Sequence, residues 1–142
     1  MIVKFTVPGE PVGKQRPRVN TFTRKAYTPE KTASYESWVR MCYLQDYRDT
    51  KFPDDAQLYI CINAFFGVPK SVTKRKKEDM LTGNVRPTKK PDYDNIGKSI
   101  CDALNNIAYK DDSAIVSAYI MKRYTDLNPR VDVTISDEGM VW

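Results

Sequence analysis

Apolar and polar residues alternate along the chain with two different periods, and the switches between them mark the elements. Ile2, Phe5 and Val7 stand among polar neighbours and predict a short strand over 2–7, ended by Pro8-Gly9. Residues 8–27 hold three prolines and two glycines. That is too broken for a long element, with room only for a small edge hairpin at Thr21-Phe22-Thr23. Thr28-Pro29-Glu30 reads as a helix start: Thr28 can cap, Pro29 suits the first helical position, and Glu30 faces the positive end of the helix dipole. Tyr35, Trp38, Val39 and Cys42 keep helical spacing to about Tyr47.

The period then changes to two. Leu58, Ile60, Ile62, Ala64 and Phe66 alternate with Tyr59, Cys61, Asn63 and Phe65, a strand apolar on both faces and therefore central in a sheet. Ser71 opens a short basic helix to about Leu81, and a loop with Gly83, Asn84 and Pro87 runs to Pro91. From Asn95, the residues Ile96, Ile100, Ala103, Leu104 and Ile107 share one side of a helix, with Asp94, Lys98 and Asn105 opposite. Strands follow over Ile115 to Tyr124 and Arg130 to Ser136, joined by a turn at Asp126-Leu127-Asn128-Pro129. The order predicts one α+β domain over 1–142: a single mixed or antiparallel sheet of about four strands with about three helices packed against it.

Composition narrows the chemistry. The 142 residues contain no histidine, which excludes Ser-His-Asp and Cys-His catalysis, histidine bases and imidazole zinc sites. Cys42, Cys61 and Cys101 stand alone at wide spacing and read as buried apolar residues, not as zinc ligands or a redox dithiol. No apolar run approaches the roughly 18 residues of a spanning helix, and the apolar start Met1 to Val7 is short for a secretory signal. A cytoplasmic location and no membrane contact are the expectation. Enzymatic chemistry would rest on carboxylates, lysine, tyrosine or a metal held by oxygen.

The net charge of +5 conceals segregation. Residues 1–31 carry seven basic and two acidic side chains, and residues 70–91 carry eight and two. Residues 92–142 reverse this with five basic and nine acidic. Lys14, Arg16 and Arg18 in the N-terminal loop, with Lys74, Arg75, Lys76 and Lys77, predict contact with a polyanion such as DNA. Phe22, Tyr27 and Tyr93 read as packing residues in preference to base contacts.

Asp92, Asp94, Asp111 and Asp112 are the carboxylates of interest. Asp92 and Asp94 bracket Tyr93, and in extended chain both side chains share one side, an oxygen-donor arrangement that suits Mg²⁺. Lys98 follows Asp94 by one helical turn, where a cation can stabilise charge on a phosphate. Geometry decides whether Asp112 joins them. A helix unbroken from Asp94 to Ile107 is about 20 Å long, and the five steps left to Asp112 return at most about 17 Å. If an asparagine in the left-handed conformation stops the helix at Asn105-Asn106, the helix shortens to about 17 Å and the return closes. A capping role for Asp94, a simple polar turn at Asp111-Asp112, a solvated Lys98, and an Asp102–Lys98 pair along the helix are the structural alternatives.

The strings Lys90-Pro91-Asp92-Tyr93-Asp94-Asn95-Ile96-Gly97-Lys98, Asp102-Ala103-Leu104-Asn105 and Asp111-Asp112 resemble the signature of the RusA family of Holliday junction resolvases. So do Gly9 to Arg18 and Tyr27 to Lys31, so the likeness spans nearly the whole chain. It implies a homodimeric, Mg²⁺-dependent endonuclease without organic cofactor that cuts four-way DNA junctions symmetrically. Asp92, Asp94 and Asp112 would be the catalytic metal ligands and Lys98 the functional lysine. Asn106 stands where family members commonly carry glycine. The rival expectations are a non-catalytic DNA-binding module and a metal-dependent nuclease for other branched nucleic acids.

Overall fold

The computed structural model describes residues 1–27 and 29–139. Its main sheet has four strands in the order β1 (Ile2–Pro8), β6 (Arg130–Ser136), β4 (Leu58–Gly67), β5 (Ile115–Thr125). β6 runs antiparallel to both β1 and β4, whereas β5 runs parallel to β4, so the sheet is mixed. The α+β expectation holds, and β4 is paired on both sides as its two apolar faces require. A parallel neighbour needs a crossover, which here carries α2 (Lys74–Leu81) and α3 (Tyr93–Ala103). The turn at 126–129 joins β5 to β6, but these strands do not pair: β4 lies between them.

α1 (Glu30–Tyr47) and α3 cover one face. Leu58, Ile60, Ile62, Ala64 and Phe66 of β4 are buried against Ile96, Ile100 and Ala103 of α3 and against Tyr35, Val39 and Tyr43 of α1 in one core cluster. Each fully buried isoleucine is worth roughly 1.5–3 kcal/mol. The Ile96–Ile100 stripe therefore fixes the rotation of α3 and turns Asp94 and Lys98 outward.

Several boundaries differ from the sequence expectation. Pro29 occupies the cap position of α1 with no side-chain cap, and the expected Thr28 cap lies outside the described residues. α2 begins at Lys74 instead of Ser71, because Thr73 Oγ1 accepts from Lys76 N–H at 3.2 Å. The expected edge hairpin is present as a separate two-stranded ribbon, β2 (Arg18–Val19) with β3 (Ala26–Tyr27), and Thr21 to Thr23 form its tip. Trp38 is 40% exposed and donates its indole N–H to Pro8 O at 2.8 Å. All three cysteines are free; Cys42 and Cys61 are buried as expected, whereas Cys101 is only partly so. Among the described residues no helix is long and apolar enough to cross a membrane.

Candidate metal centre and nucleic-acid interface

Three segments meet around one open cavity of about 650 Å³ bordered by Lys14, Arg16, Asp92, Asp94, Lys98, Asp102 and Asp112. The first is the start of α3. Asp92, not Asp94, holds the cap position, yet its side chain makes no capping bond. Its carboxylate is thus left for the cavity, beside the positive end of the helix dipole. Asp94 lies in the first turn and accepts from Asn95 N–H at 3.0 Å.

The second segment is the return from α3. The helix ends at Ala103 with Leu104 as a right-handed cap, short of the expected stop at Asn105-Asn106, and Asn106 at φ +64° turns the chain back just beyond it. Asn106 N–H donates to Tyr109 O at 2.7 Å, and the buried Tyr109 hydroxyl donates to Cys101 O at 2.7 Å. Burial pushes the Cys101 thiol up to about 12 and raises Tyr109 further, so both are neutral struts. Asn105 Oδ1 then accepts from Asp112 N–H at 2.8 Å and sets Asp112 at the cavity wall. Its neighbour Asp111 is spent on capping Ser113 N–H at 3.0 Å and does not border the cavity. Asn106→Ala should lower stability by about 1 kcal/mol, the cost of a side chain without local polar bonding in the left-handed region, while Asn106→Gly is tolerated. Thermal melts of the two variants provide the check.

The third segment is the loop from Pro11 to Pro17, clamped between α1 and α3. Lys14 N–H donates to Asn95 O at 2.8 Å, Gln15 N–H to Thr32 Oγ1 at 3.1 Å, and Ser99 Oγ to Val12 O at 2.8 Å. Gly13 is needed here, because a Cβ would come within 2.7 Å of Pro91 Cβ. Lys14 itself was expected to face DNA. Instead its ammonium lies 2.5 Å from Glu36 Oε1 and 3.4 Å from Asp102 Oδ2, half-buried. Burial pulls its pKa down, but the Glu36 hydrogen bond and the Glu36 and Asp102 charges outweigh this and leave it raised. The Asp102–Lys98 pair is thereby replaced by Asp102–Lys14, and among the described residues Lys98 has no ion pair. Asp112 is held above the usual carboxylate range, first by burial and then by the adjacent Asp102 and Asp111.

Lys14→Met should be destabilising by about 2 kcal/mol, because it strands Glu36 and Asp102 partly out of water. A lysine serving only DNA would be silent in the same thermal melt.

Residues 8–136 match the family described as Endodeoxyribonuclease RusA. The chain belongs to the RusA family. It is also similar to the Uncharacterized protein YqaN of Bacillus subtilis (strain 168), with 37% identity over 139 residues, covering 95% of this chain and 96% of that protein. RusA membership places the chain among endodeoxyribonucleases, a nuclease family of Holliday junctions, and branched DNA is the substrate class of that family.

For this RusA chain the donor set fits a hard divalent cation in kind: carboxylates, side-chain amides and cations border the cavity with Pro17, and none of its lining residues offers a thiol or imidazole. Among the described residues no three carboxylates converge on one ion position. Mg²⁺ does not need them to, since it usually takes one or two carboxylates and fills its octahedron with water and substrate phosphate. Of the expected DNA contacts, Arg16 borders the cavity, whereas Arg18 and Lys74 to Lys77 lie elsewhere on the surface, all exposed. Four basic residues in the first turn of α2 oppose its dipole; their placement does not serve the helix. Glu36, Asp102 and Asn105 were not read from sequence as site residues. Only Asp102 and Asn105 left a signal, by sharing the helical face of Lys98.

Proposed function

We propose that this chain is a Mg²⁺-dependent endodeoxyribonuclease that resolves four-way DNA junctions by paired symmetric nicks, acting as a homodimer in recombination and repair. The observation that carries the proposal is that Asp92, Asp94, Asp112 and Lys98 border one cavity. Family membership supports the same class.

Asp92 and Asp94 would hold the metal, with Asp112 facing them from the return loop. When bound, Mg²⁺ supplies Lewis-acid charge to the scissile phosphate and makes a water more acidic. The protein's own part is positional and electrostatic. Lys98, without a carboxylate partner among the described residues, keeps its ammonium available for charge that develops on the phosphate. Lys14 holds Asp102 and Glu36 and so fixes the loop that brings Arg16 to the cavity edge. Arg18 and Lys74 to Lys77 would grip phosphates of the arms. A two-fold dimer would set two identical cavities on symmetry-related strands of a two-fold junction.

The test is cleavage in Mg²⁺ of synthetic four-way, three-way and linear duplex DNA with each strand labelled in turn. Matched nicks in opposite strands of the four-way substrate, with linear duplex intact, are expected. Equal cutting of linear duplex would remove the junction from the assignment.

A further inference from the structure

The β2–β3 ribbon presents an aromatic ring that the fold does not use. Phe22 at its tip is 96% exposed, and every residue from Arg16 to Tyr27 is exposed. A phenylalanine left in water contributes nothing to folding. The tip is nonetheless built. Asn20 Oδ1 accepts from Phe22 N–H at 2.8 Å and from Thr23 N–H at 3.1 Å, Arg24 N–H donates to Asn20 O at 2.7 Å, and Asn20 N–H to Lys25 O at 3.0 Å. Arg24 takes φ +56° to complete the reversal.

Charge identifies the occupant. Residues 11–29 contain no acidic side chain, and among the described residues Arg18, Arg24 and Lys25 have no ion pair. An exposed ring set among unpaired cations matches a nucleobase flanked by phosphates, because base and ring stack while the cations hold the backbone. Position strengthens this: Arg16 and Pro17, which lead into the ribbon, border the carboxylate cavity.

We infer that the β2–β3 ribbon is a wedge whose Phe22 stacks on a base exposed at the branch point, with Arg18, Arg24 and Lys25 on the adjoining phosphates, so that it selects branched over linear DNA. The selection has a physical cause. In linear duplex every base is stacked on both sides and insertion must first break that stacking, whereas at a branch the stack is already interrupted. This inference rests on the nuclease reading for its substrate, but its test does not require cleavage.

The full chain is assayed in EDTA against a four-way junction with 2-aminopurine at the branch, and against linear duplex of the same sequence. Wild-type protein should raise the 2-aminopurine fluorescence as the base leaves its neighbours. Phe22→Ala should abolish the rise and weaken junction binding about tenfold, with duplex binding within about twofold of wild type. Phe22→Trp should restore the junction affinity. Because the side chain is exposed, no folding defect is expected, and thermal melts verify this. Phe22→Ala matching wild type in junction affinity and fluorescence would overturn the wedge. If wild type then cuts junctions in Mg²⁺, the nuclease reading survives that loss. Conversely, a Phe22-dependent rise from a protein that cuts no DNA in Mg²⁺ would support the wedge and remove the nuclease.

Discussion

Asp92→Asn and Asp94→Asn proteins should bind a four-way junction as wild type does and cut it at least about a thousandfold more slowly. The magnitude follows from several kcal/mol of charge stabilisation lost with the metal, at about 1.4 kcal/mol per factor of ten. Binding is spared because neither carboxylate belongs to the basic surface, and removing negative charge near DNA favours association if anything. Stability is spared as well: the Asp92 side chain makes no capping bond, and among the described residues Asp94 bonds to the adjacent Asn95 amide alone. Single-turnover cleavage and gel-shift binding of the same preparations separate the two effects. Wild-type cleavage rates in both variants would remove Asp92 and Asp94 from the chemistry.

The second large effect is expected from salt. Arg16, Arg18 and Lys74 to Lys77 are exposed cations and among the described residues have no ion pairs. With about six such phosphate contacts, junction affinity should fall about a thousandfold between about 50 and 200 mM salt. Replacing Lys74, Arg75, Lys76 and Lys77 together by Gln should flatten the slope of log affinity against log salt by about three to four. The same change relieves repulsion at the positive end of α2 and so should not unfold it. A slope unchanged by the replacement would place α2 away from the DNA.

How far the molecule was legible follows from whether a feature depends on local or distant chain. The β4 strand, the apolar stripe of α3 and the left-handed turn at Asn106 were legible because each is a matter of period or of chain length. The need for an early end came from requiring Asp112 to return; the helix ends even earlier, at Ala103, and the left-handed turn lies at Asn106 with φ +64°. The ion pairs of Lys14 were illegible for the opposite reason. Its partners Glu36 and Asp102 come from α1 and α3, and nothing near Lys14 in sequence signals them. The Asp102–Lys98 pair failed because helical spacing permits a pair without requiring one once a stronger partner arrives from outside the helix.

Phe22, Tyr27 and Tyr93 were expected to pack and are instead 96%, 48% and 64% exposed. Aromatic residues are ordinarily core, but Phe22 and Tyr27 lie in a ribbon too small to cover them. Tyr93 is turned outward with Asp94, because α3 buries the opposite stripe. The crossing of β4 between β5 and β6 was equally invisible, since a four-residue turn suits a hairpin just as well.

The most direct measurement is incubation of the wild-type chain with a synthetic four-way junction, once in Mg²⁺ and once with Mg²⁺ removed by EDTA. Cleavage at the branch in Mg²⁺ alone, with the junction still bound in EDTA, is the expected result. An uncut junction at saturating protein in Mg²⁺, or equal cutting in EDTA, would contradict a carboxylate-held metal at Asp92, Asp94 and Asp112 as the centre of this protein's chemistry.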